Sequence, residues 1–194
     1  MSTSITVLTR DYAAPPVSER EILRYAGCQS SKTDEATVAL MRDCIAEIKD
    51  RLTFKVCYSE LDALSLARFT DVSRQLKRLL ADCRTTVLFG ATVGVELDRR
   101  IARYGVLSPA RALMMQAIGA ERIEALCNAF CDDLGREYNT AITPRFSAGY
   151  GDLPLDTQRD IFAILDCPRH IGLTLNDSLL MSPSKSVTAF VGIR

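Results

Sequence analysis

The sequence predicts an α+β fold: one domain with a mixed or antiparallel sheet flanked by helices. Amphipathic helical stretches interleave with only a few strand-like runs. The tail is strand-like and closes with a hairpin around Ser182-Pro183-Ser184-Lys185. The one strand–glycine–helix unit is not followed by the carboxylate-ended strand that a dinucleotide-binding repeat requires. At 194 residues, 47% hydrophobic and 25% charged, the chain has the profile of a globular protein. It is expected to form a single domain over residues 1–194 that buries roughly 70% of its unfolded surface. Residues 1–60 are expected to form a largely helical N-terminal part.

Ile5-Thr6-Val7-Leu8 predicts a short strand, broken by Ala13-Ala14-Pro15-Pro16. Ser18-Glu19-Arg20-Glu21 is a capping box, in which the Ser18 hydroxyl takes one orphan amide and Glu21 reaches back. The helix it opens is short and stops at Gly27. A second begins near Asp34, with Val38, Met41, Ile45, Ile48 and Leu52 in one stripe and Arg42, Glu47 and Lys49 on the wet side. That stripe faces either the core or a docked partner. Phe54, Val56 and Tyr58 alternate as a half-buried strand. Leu61 to Ala67 is compatible with strand or helix, and Thr70-Asp71 opens a helix carrying Val72, Leu76, Leu79 and Leu80.

Thr85-Thr86-Val87-Leu88-Phe89 predicts a buried strand leading into Gly90-Ala91-Thr92-Val93-Gly94. This resembles a nucleotide-type loop, but Thr92 stands where the middle glycine belongs. A helix bearing Leu97, Ile101 and Tyr104 follows, and Ser108-Pro109 starts another. From Pro109 to about Glu137 the helical period persists through Leu113, Met114, Ile118, Ile123, Leu126 and Phe130, with Gly119 a candidate kink. Asn128, Asp132 and Asp133 in its last turns are expected to approach residues 144–151. Asp156 to Leu165 predicts a helix ended by Cys167-Pro168. Strands are expected over residues 171–175, 178–181 and 186–192.

Twenty-four basic residues balance twenty-four acidic ones, so no net field draws the chain toward nucleic acid or anionic lipid. No apolar run is long enough to span a bilayer, and the N-terminus lacks the basic start and apolar core of a signal peptide. Seven cysteines without a C-x-x-C pair and a single histidine, His170, argue against zinc and for buried thiols in a reducing cytoplasm.

Pro144-Arg145-Phe146-Ser147-Ala148-Gly149-Tyr150-Gly151 is the stretch with the densest chemistry. By composition it is a loop. Arg145 carries a rigid fork of donors suited to a carboxylate. Gly149 lets backbone approach a ligand, and Tyr150 offers an apolar face with a hydroxyl tip. Two functions fit these features. One is a site for a small zwitterion; the other is an arginine ion-paired across a turn whose aromatics plug the core.

Arg145-Phe146-Ser147-Ala148-Gly149-Tyr150 resembles the Arg-x-x-x-Gly-Tyr motif of the activation domain of cobalamin-dependent methionine synthase. Gly172 to Ser178, Met181-Ser182-Pro183 and Ser186-Val187-Thr188 resemble that domain's later sheet segments in the same order. Leu23-Arg24-Tyr25 and the turn at 89–94 resemble its small stand-alone versions. The resemblance implies an activation-domain-like fold and an S-adenosylmethionine site within residues 120–194. Arg145 would grip the ligand's carboxylate, Ser147 and Ala148 would bind it through main-chain groups, and Gly149 and Tyr150 would line the pocket. The family's helix acid falls on Asn128, so its role would pass to Asp132 or to nothing.

The resemblance also implies a role in reductive methylation of cob(II)alamin to methylcobalamin. The cobalamin would sit on a partner, a corrinoid-binding methionine synthase lacking its own activation domain, with a flavodoxin-type electron donor. The chain would not turn over alone, would contribute no general acid or base, and would hold no metal. Two rivals stand beside this. One is a capping or stabilising partner of a corrinoid protein that has lost S-adenosylmethionine binding. The other is an independent glycine-loop methyltransferase, against which Thr92 and the absent carboxylate strand speak.

Overall fold

The structure, a computed structural model, describes residues 6–28 and 33–194. The first strand, β1 (Leu8–Tyr12), pairs antiparallel with β2 (Phe54–Leu61), Leu8 opposite Tyr58 and Tyr12 opposite Phe54. The strand expected at residues 5–8 is therefore displaced toward Tyr12, and Ile5 lies outside the described residues. Between these strands come α1 (Glu19–Tyr25) and α2 (Glu35–Ile48), capped by Ser18 and Asp34 through the amides of Glu21 and Thr37. The α2 stripe faces the core: Met41 and Ile48 are buried, with Val38, Ile45 and Leu52 packed against the same cluster.

Leu61 ends β2, and the ambiguous stretch after it is helical: α3 (Ala63–Thr70) is capped by Asp62 through the Ser65 amide. The next helix, α4 (Arg74–Leu80), is capped by Ser73 rather than opened at Thr70, which leaves Val72 exposed. β3 (Thr85–Thr92) runs three residues past the expected strand. Gly90, Ala91 and Thr92 are ladder residues, paired with both β2 and β6 (Ser186–Ile193), so the nucleotide-type loop does not exist. Cross-strand hydrogen bonding on both sides outweighs the turn tendency of one glycine.

After β3 come α5 (Glu96–Leu107) and the 29-residue α6 (Pro109–Glu137), which passes through Gly119 without interruption. Gly119 makes room for a neighbour: a Cβ there would stand 2.8 Å from Lys185 Cγ. A short 3₁₀ turn (Leu155–Thr157) leads into α7 (Gln158–Leu165). As expected, α7 ends at Leu165, before Cys167-Pro168; Pro168 then sits in the first turn of a separate short helix, α8 (Cys167–Ile171), where its missing amide costs nothing. The small strands β4 (Thr174–Leu175) and β5 (Met181–Ser182) pair with each other. The hairpin expected around Ser182–Lys185 is therefore not formed: β5 pairs back to β4, and β6 joins the main sheet beside β3.

The main sheet has the order β1-β2-β3-β6 and is antiparallel throughout. Alternation along β6 sends Ala189, Val191 and Ile193 into one cluster with α1, α2 and α6 residues, and Phe190 into another with α3, α4, α7 and α8 residues. Both faces are covered, which is why β3 is apolar continuously rather than alternately. Phe130 packs against Tyr58 and Phe89 on one side of the sheet, and Phe69 packs against Phe190 on the other. Full burial of such side chains contributes roughly 1.5–3 kcal/mol each. Exposed ion pairs contribute about 0–1 kcal/mol, so burial decides the architecture. No helix among the described residues is long and apolar enough to cross a membrane.

Candidate functional site in the cleft between α1 and α6

The loop of residues 144–151 is held by β6. Phe146 and Phe190 exchange backbone hydrogen bonds of 3.0 and 2.8 Å, and the Thr143 amide donates to the Gly192 carbonyl at 2.9 Å. Phe146 leans into the cluster beneath α7 and α8, which fixes the direction in which its neighbour Arg145 leaves the backbone. Beyond it the chain reverses: Tyr150 N donates to Ser147 O, Leu153 N to Tyr150 O, and Gly149 N to Leu153 O. Gly149 and Gly151 take φ of +81° and +56°, a region glycine enters without steric cost.

Asp152 ties the loop to the far helix layer. Its carboxylate accepts from Ser73 Oγ at 2.5 Å and from the Arg74 and Gln75 amides at 2.9 and 3.2 Å, at the start of α4. The Ser73 hydroxyl, then those amides, holds the Asp152 carboxyl below its ordinary pKa.

Arg145 turns the other way, toward α6. Its Nη1 donates to Asn128 Oδ1 at 2.8 Å, and its Nη2 pairs with Glu124. Residues 124 and 128 are one helical turn apart on the same face, so one guanidinium reaches both. These three side chains border a cleft of about 410 Å³ whose opposite wall carries Ser18, Glu21 and Tyr25. That wall is fixed by a buried pair on α6. Arg122 holds the Pro15 and Pro16 carbonyls at 2.6 and 2.7 Å and is paired with Glu121, whose Oε1 accepts from the Ser18 amide at 3.0 Å. Glu121 thus makes the back-bond expected of Glu21, which pairs with Arg24 instead.

The structure places the sequence-derived candidates unevenly. Arg145 and Asn128 meet at the cleft. Ser147 and Ala148 are half-buried, and among the described residues their amides have no protein acceptor. Tyr150 is 71% exposed, its ring edge-on to Phe146 with centroids 6.4 Å apart. The loop's aromatics therefore divide, Phe146 as plug and Tyr150 facing outward. Asp132 is exposed, with no hydrogen bond or ion pair to the loop among the described residues, and Asp133 turns to Tyr12 and Arg136. The acid that meets Arg145 is Glu124, which sequence reasoning did not select. Its spacing of four from Asn128 on a long helix was the available signal.

Burial pushes the Cys127 and Cys131 thiols up, against the opposing charge of Arg145, so both are protonated packing groups at neutral pH. Neither His170 nor residues 90–94 border the cleft. No group of three or more His, Cys, Asp or Glu side chains among the described residues is arranged to hold a metal.

Among solved structures the chain is similar to a crystal structure of the MetH reactivation domain bound to AdoHcy. The TM-score is 0.65 at 13% sequence identity, over 97% of this chain and 78% of that one. The two share a fold. No protein-family model matches the chain, and no curated protein sequence matches it either.

Proposed function

We propose that this chain is an S-adenosylmethionine-binding reactivation component for a cobalamin-dependent methionine synthase that lacks its own activation domain. The observation that carries this is the Arg145–Glu124–Asn128 cluster at the mouth of a ligand-sized cleft. Two and three residues further along the chain from Arg145, the Ser147 and Ala148 amides have no protein acceptor among the described residues, and the fold is shared with a domain solved with AdoHcy.

The residues present fit the amino-acid end of such a ligand. A carboxylate takes the Arg145 fork and the Ser147 and Ala148 amides. An ammonium takes Glu124, with Asn128 Oδ1 as a second acceptor. The ligand then replaces an existing ion pair charge for charge. Arg145 and Glu124 are partly exposed, and such pairs contribute only about 0–1 kcal/mol, so opening this one costs little. Tyr150 is open to receive a cationic or flat group on its ring, a contact of roughly 0.5–2 kcal/mol.

S-adenosylmethionine, when bound, supplies a methyl group on a sulfonium, for reductive methylation of cob(II)alamin to methylcobalamin on the partner. This chain binds and orients the donor and supplies no acid, base or metal. The corrinoid and the flavodoxin-type electron donor belong to other proteins, and the complex works in the cytoplasm. Equilibrium dialysis with S-adenosylmethionine, followed by reactivation of a corrinoid partner, tests the assignment.

One observation favours a second function. Arg145 is satisfied by Glu124 and Asn128 without any ligand, as in a protein that only caps a corrinoid partner. Association with the partner without S-adenosylmethionine binding selects that function.

A further inference from the structure

Cys57 on β2 and Cys167 at the start of α8 lie on the face of the sheet away from the α1–α6 cleft. Both are fully buried, and their Sγ atoms are 3.7 Å apart. The ladder beside them is shaped around the two sulfurs. Gly90 is directly opposite Cys57, and a Cβ there would stand 3.0 Å from Cys167 Sγ and 3.5 Å from Cys57 Sγ. The helix carrying Cys167 is bracketed by left-handed residues, Asp166 at φ +43° and Gly172 at φ +70°. Two flanking bends let a five-residue helix shift as a unit, and a disulfide needs the sulfurs to close to about 2.05 Å.

We propose that Cys57 and Cys167 form a reversible, peroxide-generated disulfide that staples α8 to the sheet beneath the 144–151 loop. One sulfur of the pair, as its thiolate, attacks a hydroperoxide oxygen, breaking the O–O bond and becoming a sulfenic acid. The leaving oxygen takes the proton the thiol gave up and departs as water or an alcohol. The other thiol then attacks that sulfur, and the sulfenic oxygen departs as water with the thiol proton. Two electrons pass from the thiol pair to the peroxide, and a dithiol reductant returns them. The contact between the two sulfurs lowers the pKa of Cys57, whereas the same contact and burial push Cys167 up. Phe146 and Ala148 pack against the cluster that contains both cysteines, so the staple stiffens the platform of the loop.

The test uses the full chain, folded and reduced, exposed to hydrogen peroxide and then unfolded for thiol counting and non-reducing peptide mapping. Two of the seven thiols are expected to disappear, with one new cross-linked peptide joining Cys57 to Cys167, reversed by dithiothreitol. The cross-linked residues are 110 apart in sequence, so the unfolding midpoint should rise by several degrees. In Cys167→Ala the cross-link should be absent and a dimedone adduct should appear on Cys57. Retention of all seven thiols by the folded protein overturns the proposal. So does a cross-link elsewhere, or over-oxidised Cys57 with Cys167 still free.

Discussion

Arg145 and Glu124 are 21 residues apart in sequence and joined in space by an ion pair at the mouth of a cleft, with Asn128 closing the same guanidinium from one turn further along α6. The loop reaches this position because Phe146 is pinned to β6, and the helix because its apolar face is buried against the sheet. Arg145→Ala should therefore lower S-adenosylmethionine affinity by about 100-fold, the loss of one or two charged hydrogen bonds. The fold should persist, since a partly exposed pair contributes about 1 kcal/mol or less. Calorimetric titration and thermal unfolding on the same sample check both halves; unchanged affinity rules out the site.

Glu124→Gln keeps the shape of the side chain and removes its charge. With an ammonium as its proposed partner, affinity should fall by roughly 10-fold. The neutral analogue lacking the α-amino group should bind wild type and Glu124→Gln equally. A drop of the same size for that analogue would assign Glu124 to positioning Arg145 rather than to the ammonium.

Arg122→Ala should be the most damaging single truncation. It strands the buried Glu121 carboxylate and two proline carbonyls together. Breaking a buried pair from one side costs roughly 3–5 kcal/mol. Urea unfolding measures it, and a loss under about 1 kcal/mol would show that residues 15–18 are not held by this pair.

Asp152 predicts a pH dependence with a definite sign. Its folded-state pKa is lowered by the Ser73 hydroxyl and the α4 amides. Its stabilisation is therefore complete above the unfolded value of about 3.9 and disappears as pH falls through the folded one. The stability difference between wild type and Asp152→Asn should be flat from neutral pH to about pH 5 and shrink below about pH 4. A difference that grows on acidification contradicts the assignment.

Gly151→Ala forces an L side chain into φ +56° and brings its Cβ within 2.2 Å of Gln75 Oε1. The side chain of Gln75 can turn away, so backbone strain of about 1–2 kcal/mol is the main cost. Denaturant titration should show that loss, and Gly105→Ala, in a helix with open space around it, should show none.

Much of this protein was legible in its sequence because the signals were local. Ser18 and Asp34 cap helices where short polar side chains precede apolar periodicity, and the α2 stripe and the apolar runs of β3 and β6 mark the faces that must be buried. Arg145, Gly149 and Tyr150 stood out because a loop has no packing need for a guanidinium or an open ring. The tertiary structure decided what no window of residues contains. Gly90 to Thr92 became strand because two neighbours supply hydrogen bonds on either side, and β6 left its expected hairpin to cover the edge of β3. The same holds for the acid facing Arg145. Asn128, Asp132 and Glu124 are equivalent by composition, and only the placement of α6 against the loop selects Glu124 and Asn128 and leaves Asp132 in solvent.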